Sequence, residues 1–148
     1  MSLVVVESPL HGKDAAEQQR NLRYLLWCLR ALWEVDGHHG IASHLVCPFF
    51  LDDAVDKERE AGIGWEWFWL QDAEHTFFND LGVSSGMRSA ASVCRQLGFQ
   101  QSHQLLFHYA PDHWAAFERG EWPPHTTGFS LSTRNPIAPM PALEAGDP

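Results

Sequence analysis

The chain has 148 residues, 45% of them hydrophobic and 20% charged, with a formal net charge of −9. This length and composition suit one globular domain with its own core and argue against wholesale disorder. An excess of 19 acidic over 10 basic residues repels phosphate backbones at long range, which argues against duplex nucleic acid as a partner.

Leu3-Val4-Val5-Val6 opens the chain as a short β-branched run. Buried parallel strands read this way because both faces are covered. The run is too short for a signal peptide, and no apolar stretch nears the ~20 residues of a membrane helix. Ser8-Pro9 stops the strand, and Gly12 is expected to keep the next loop flexible. Asp14-Ala15-Ala16-Glu17 is a capping-box pattern. The helix it opens runs to about Glu34, with Leu22, Leu25, Leu26, Leu29, Leu32 and Trp33 as core stripe, and Asp36-Gly37 ends it.

Ile41 to Cys47 reads as the second strand. Asp56 to Leu70 reads as a helix with two apolar stripes, Ile63, Trp67 and Leu70 on one and Trp65 and Trp69 on the other. Two stripes suit a helix between a sheet and a second surface, either a subunit interface or the chain's own C-terminal extension. Ala73 to Phe78 is the third strand, Ser84-Ser85-Gly86-Met87 opens a helix ending at Leu97-Gly98, and Leu105-Leu106-Phe107 is the last strand. Strands alternating with helices in this order give a single α/β domain, a Rossmann-like parallel sheet with helices on both faces. The domain is expected over 1–112, a wrap-around extension anchored by Trp114, Phe117 and Trp122 over 113–129, and a mobile proline-rich tail over 130–148. Cys28, Cys47 and Cys94 are odd in number and widely spaced, as expected of reduced thiols in a cytoplasmic protein.

In open parallel sheets ligands bind beyond the carboxyl ends of the strands. That rule selects Ser8, Pro9 and His11 after the first strand, His44 and Asp53 after the second, and Asp80 with Ser84, Ser85, Gly86 and Met87 after the third. A Ser-Ser-Gly turn at a helix start offers backbone N–H groups to a phosphate or carboxylate. On local evidence an ordinary N-cap is the commoner reading of such a turn. His44 suits a sugar hydroxyl or a structural hydrogen bond, and Asp52-Asp53 suits a helix cap or ribose hydroxyls. His38 and His39 point to opposite sides of a strand, so no metal site is expected with His44. The sequence holds no GxGxxG and no Walker loop.

At these segments the chain resembles the nucleoside 2-deoxyribosyltransferase-like superfamily, in particular its small phage and bacterial members. The resemblance runs over roughly residues 3–110. It rests on Val4-Val5-Val6-Glu7-Ser8-Pro9, Ala42-Ser43-His44-Leu45, Phe50-Leu51-Asp52-Asp53, Glu58-Arg59-Glu60-Ala61-Gly62-Ile63 and Gly82-Val83-Ser84-Ser85-Gly86-Met87 in that order. It implies a flavodoxin-like fold, a nucleoside or nucleotide ligand, no cofactor, and a homodimer or larger assembly in which a neighbour helps close the site. In active members a glutamate attacks the anomeric carbon of the deoxyribose. Here Ala90 stands where that glutamate belongs, and no acid lies between Arg88 and Gly98. Glu60 and Glu66 are the candidate replacements. Three functions compete: an N-glycosidase or deoxyribosyltransferase with a relocated acid, a nucleotide-binding or regulatory module, and an interaction protein.

Overall fold

The structure is a computed structural model that describes residues 2–42, 45, 50–52, 54–69 and 73–126, excluding the side chains of 66–69. Among the described residues nine elements follow in chain order: β1 (Leu3–Glu7), α1 (Ala15–Asp36), β2 (His39–Ile41), α2 (Asp56–Trp69), β3 (Glu74–Phe78), α3 (Ser85–Leu97), β4 (Gln101–Gln104), α4 (Leu106–Tyr109) and α5 (Pro111–Glu118). The strands form one sheet in the order β2-β1-β3-β4, and every pairing is parallel. This is the expected α/β architecture, with the flavodoxin-like reversal of strand order beside β1.

Alternation along β1 divides the core in two. Val4 and Val6, with Phe78 of β3, face Tyr24, Leu25, Cys28 and Leu32 of α1 and Phe117 of α5. On the opposite face Val5 packs with Ala73 and Trp65, while Phe77 packs with Met87, Ala90 and Cys94 of α3. Helices therefore cover both faces. Each fully buried Leu or Phe in these layers contributes about 1.5–3 kcal/mol of transfer free energy.

Helix α1 starts as the capping pattern predicts, with the Asp14 carboxylate accepting from Glu17 N at 2.8 Å. The Glu17 side chain turns back to Lys13 N at 3.3 Å, one residue before the cap. Gly37 ends the helix at φ 68°, a left-handed conformation in which a side chain would be strained. The buried stripe is wider than the leucine pattern, because Tyr24, Trp27, Cys28 and Ala31 join Leu22, Leu25 and Leu32. Trp33 departs from expectation. It is 51% exposed and lies tilted on His39 with ring centroids 5.3 Å apart.

Two strands differ from the sequence reading. Strand β2 covers His39–Ile41 and shares only Ile41 with the expected 41–47 segment, most of which lies outside the described residues. The last strand is the polar Gln101–Gln104, and Leu105–Phe107 instead leads into α4. An edge strand needs little apolar surface, and Ser102 finds Thr76 hydroxyl to hydroxyl at 3.1 Å.

Helix α5 belongs to the core. Phe117 lies 5.4 Å from Tyr24 and 5.2 Å from Trp114, centroid to centroid. Arg23 donates to Phe117 O with its guanidinium over the Phe117 ring, and Trp27 Nε1 donates to Glu121 O at 2.7 Å. The expected tail over 130–148 lies outside the described residues. No described helix is long and apolar enough to cross a membrane.

Candidate functional site

The sheet reverses direction between β1 and β3. β1 connects to β2 on one side, while β3 and β4 lie on the other. Neighbouring loops part at such a point and leave a crevice beyond the strand ends. Glu7 pairs in register with Phe77, so the segments from Ser8 and from Phe78 leave the sheet side by side, about 4.8 Å apart.

The first loop is pinned. Ser8 and Pro9 are buried, whereas His11 and Lys13 are exposed. Asn21 of α1, 3% exposed, donates through Nδ2 to Leu10 O at 3.1 Å and to His11 O at 3.2 Å. Gly12 does not serve flexibility, as the sequence suggested. A Cβ there would lie 2.6 Å from Glu17 Cβ and 2.8 Å from Gln18 N, so the glycine lets the loop touch the start of α1.

The segment after β3 carries the second half of the rim. Ser84 is the N-cap of α3, its Oγ accepting from Met87 N at 3.2 Å. The cap reading therefore holds for Ser84, while Ser85 and Gly86 are exposed beside it in the first turn. Met87 points inward to Phe77. Arg88 is exposed, and its Nη1 donates to Val83 O at 2.9 Å, which keeps a cation beside this turn.

Asp80 is committed to the protein. Its Oδ1 accepts from the Tyr24 hydroxyl at 2.5 Å and from Leu106 N at 2.6 Å, and its Oδ2 accepts from Phe107 N at 3.2 Å. It caps α4 from a distant part of the chain, and that cap explains why Leu105–Phe107 leaves the sheet. Burial, the neighbouring Cys28 and Asp80 itself push the Tyr24 hydroxyl well above its ordinary pKa, so it stays a donor.

The acids on α2 are placed differently. Glu60 is exposed. Glu58 turns back to accept from Asp52 N at 2.5 Å, and Asp52 Oδ1 accepts from Ala54 N at 3.0 Å, which builds the turn before α2. His44, Asp53 and the Glu66 side chain lie outside the described residues. Ala90 is 7% exposed and packs in the Phe77 cluster, so α3 presents no carboxylate at that position. Among the described residues no group of three His, Cys, Asp or Glu side chains could hold a metal ion.

Sequence reasoning passed over Glu7. This carboxylate ends β1 and is only 9% exposed. Its Oε1 lies 3.3 Å from Nδ1 of the fully buried His75. The available signal was an acid closing an otherwise apolar strand on the same alternating face as Val5.

The family model described as Domain of unknown function (DUF7768) matches residues 2–104. The chain belongs to that family. The match ends on Gln104, the last residue of β4, so it spans the whole sheet with α1, α2 and α3 and stops before α4 and α5. No curated protein and no solved structure matches the chain.

Proposed function

We propose that the protein binds a nucleoside or nucleotide at the carboxyl edge of β1 and β3, without the glutamate-dependent base transfer of the superfamily it resembles. The strand order carries this reading, because it opens a crevice between the Ser8–Lys13 loop and the first turn of α3. The turn at Ser85-Gly86, with Arg88 beside it, suits a phosphate, and Ser8, Pro9 and His11 border the other wall. Ala90 supports binding over transfer, since a methyl group cannot attack a sugar carbon.

The test is a panel of the four deoxynucleosides and their 5′-monophosphates, read by thermal shift and by release of free base. At least one compound is expected to raise the melting temperature by several degrees at saturating concentration, by about 2.7 kcal/mol of linkage at a hundredfold excess over Kd. No free base is expected. Base release that Glu60→Ala or Glu66→Ala abolishes would replace binding by glycosidic-bond cleavage with a relocated acid. A panel with no shift and no release would leave the interaction reading.

A cytoplasmic setting belongs to the same proposal, in keeping with the free, buried thiol of Cys28. So does a homodimer through α2. Trp65 of that helix packs toward the sheet, while Ile63 is 47% exposed. Sedimentation at micromolar concentration is expected to show twice the chain mass, and a clean monomer would refute the dimer.

A further inference from the structure

Among the described residues Glu7 is the one buried carboxylate. Burying an ionised carboxyl group is costly, and such groups gather at functional sites. Glu7 also occupies the last position of β1, at the point where the sheet reverses. Its side chain leaves the sheet on the face of Val5, the face that α3 covers. In the neighbouring strand its register partner Phe77 supports Met87 in the first turn of α3. Glu7 thus lies one strand spacing from the residue that seats the Ser84–Met87 turn, and its side chain keeps 11% of its surface exposed.

His75 fixes this group from below. It is fully buried, its ring stacks on Phe99 at 5.8 Å with planes 14° apart, and Nδ1 faces Glu7 Oε1 at 3.3 Å. A carboxylate held in this way accepts hydrogen bonds and repels anions. A phosphate is driven away from Glu7, toward the Ser85-Gly86 end, and the part of the ligand that meets Glu7 must be neutral and bear donors.

We propose that Glu7, positioned by His75, accepts the 2′ or 3′ hydroxyl of the ligand's sugar and makes this site read the sugar; the inference rests on the nucleoside or nucleotide reading above. An analogue that lacks the donor forfeits a charge-assisted hydrogen bond to the carboxylate, so such a site discriminates against it.

The experiment is calorimetry on the full chain with the ribo, 2′-deoxy and 2′,3′-dideoxy forms of whichever nucleosides or 5′-monophosphates bind. The wild type is expected to lose affinity by about 10- to 100-fold when the 2′ or the 3′ hydroxyl is removed. Glu7→Gln is expected to bind the hydroxylated ligands more weakly and to discriminate by less than about threefold. Equal wild-type affinity across the sugar series overturns the inference without any variant, so it stays testable even where Glu7→Gln folds poorly. Discrimination undiminished in a folded Glu7→Gln protein also overturns it, as does an affinity that follows the base N–H groups and ignores the hydroxyls. Binding of no member of the panel overturns both this inference and the binding reading, whereas the other outcomes leave binding intact.

Discussion

Phe117→Ala is expected to destabilise the protein by about 3–5 kcal/mol, the usual cost of emptying a large aromatic site in a core. Phe117 is 2% exposed and lies between Tyr24 and Trp114, with the Arg23 guanidinium 4.6 Å above its ring centroid. Truncation removes the transfer free energy of the ring, leaves a cavity against α1 and ends the cation–π contact. For a domain of this size each kcal/mol moves the melting temperature by about 2–4 °C, so a fall of roughly 6–20 °C is expected. Phe117→Leu keeps most of the volume and is expected to cost clearly less. Denaturant unfolding of the two variants beside the wild type measures the difference. A loss below about 1 kcal/mol for the alanine variant would mean that α5 does not close the α1 face. The position is informative because it lies beyond the residues that match the family. The family unit supplies the sheet, but here the α1 side is sealed by a segment that follows it.

The elements that were legible in the sequence carry their signals locally. Val4-Val5-Val6 is apolar because β1 is the second strand of the sheet and has a core on each face. α1 and α3 begin at side-chain caps and end at glycines, and each signal lies within a few residues of the boundary it sets. What failed was set from far away. β4 is polar because it is an edge, a fact of strand order that four residues cannot announce. The chain leaves β4 at Leu105 because an aspartate twenty-six residues earlier caps the helix that follows. Apolar Leu105-Leu106-Phe107 looked like a strand when taken alone, and the long-range cap overrode that preference.

The site divides in the same way. The rule that ligands lie beyond the strand ends placed Ser8, Pro9, His11, Ser84, Ser85, Gly86 and Met87 along the two segments that leave β1 and β3 side by side. It could not tell a residue that faces the crevice from one consumed by the fold. Ser84 caps α3, Met87 fills the core and Asp80 is fully engaged. Glu7 escaped notice because a charged residue after a β-branched run reads as the end of a strand. Only the register with β3 shows that it lies inward, against His75.

Asp80→Ala is expected to cost about 3 kcal/mol or more, because it strands three donors at once. The Tyr24 hydroxyl, Leu106 N and Phe107 N all converge on this carboxylate, and Tyr24 and Leu106 are fully buried. Hydrogen bonds to a charged acceptor are the strong ones, and buried donors without a partner carry their desolvation cost. Asp80→Asn retains an acceptor oxygen and is expected to lose less. Tyr24→Phe, which removes one donor and leaves the α4 cap, is expected to lose about 1–3 kcal/mol. The double variant should fall short of the sum by about 0.5 kcal/mol or more, since the two side chains share a bond. The pH dependence is a second signature. Tyr24 titrates well above its ordinary 10.0 in the folded protein, so folding holds its proton more tightly than the unfolded chain does. That contribution is complete below about pH 10 and is lost as the unfolded tyrosine ionises, at about 1.4 kcal/mol per pH unit. Burial and the Asp80 charge raise the Cys28 thiol as well, adding a loss of the same sign from its ordinary 9.0 upward. Chemical unfolding between pH 8 and 11 should therefore show wild-type stability falling, with a shallower fall above pH 10 in Tyr24→Phe. Parallel curves for the two proteins would mean that Tyr24 does not hold its proton in the fold and that the Asp80 cap draws nothing from it.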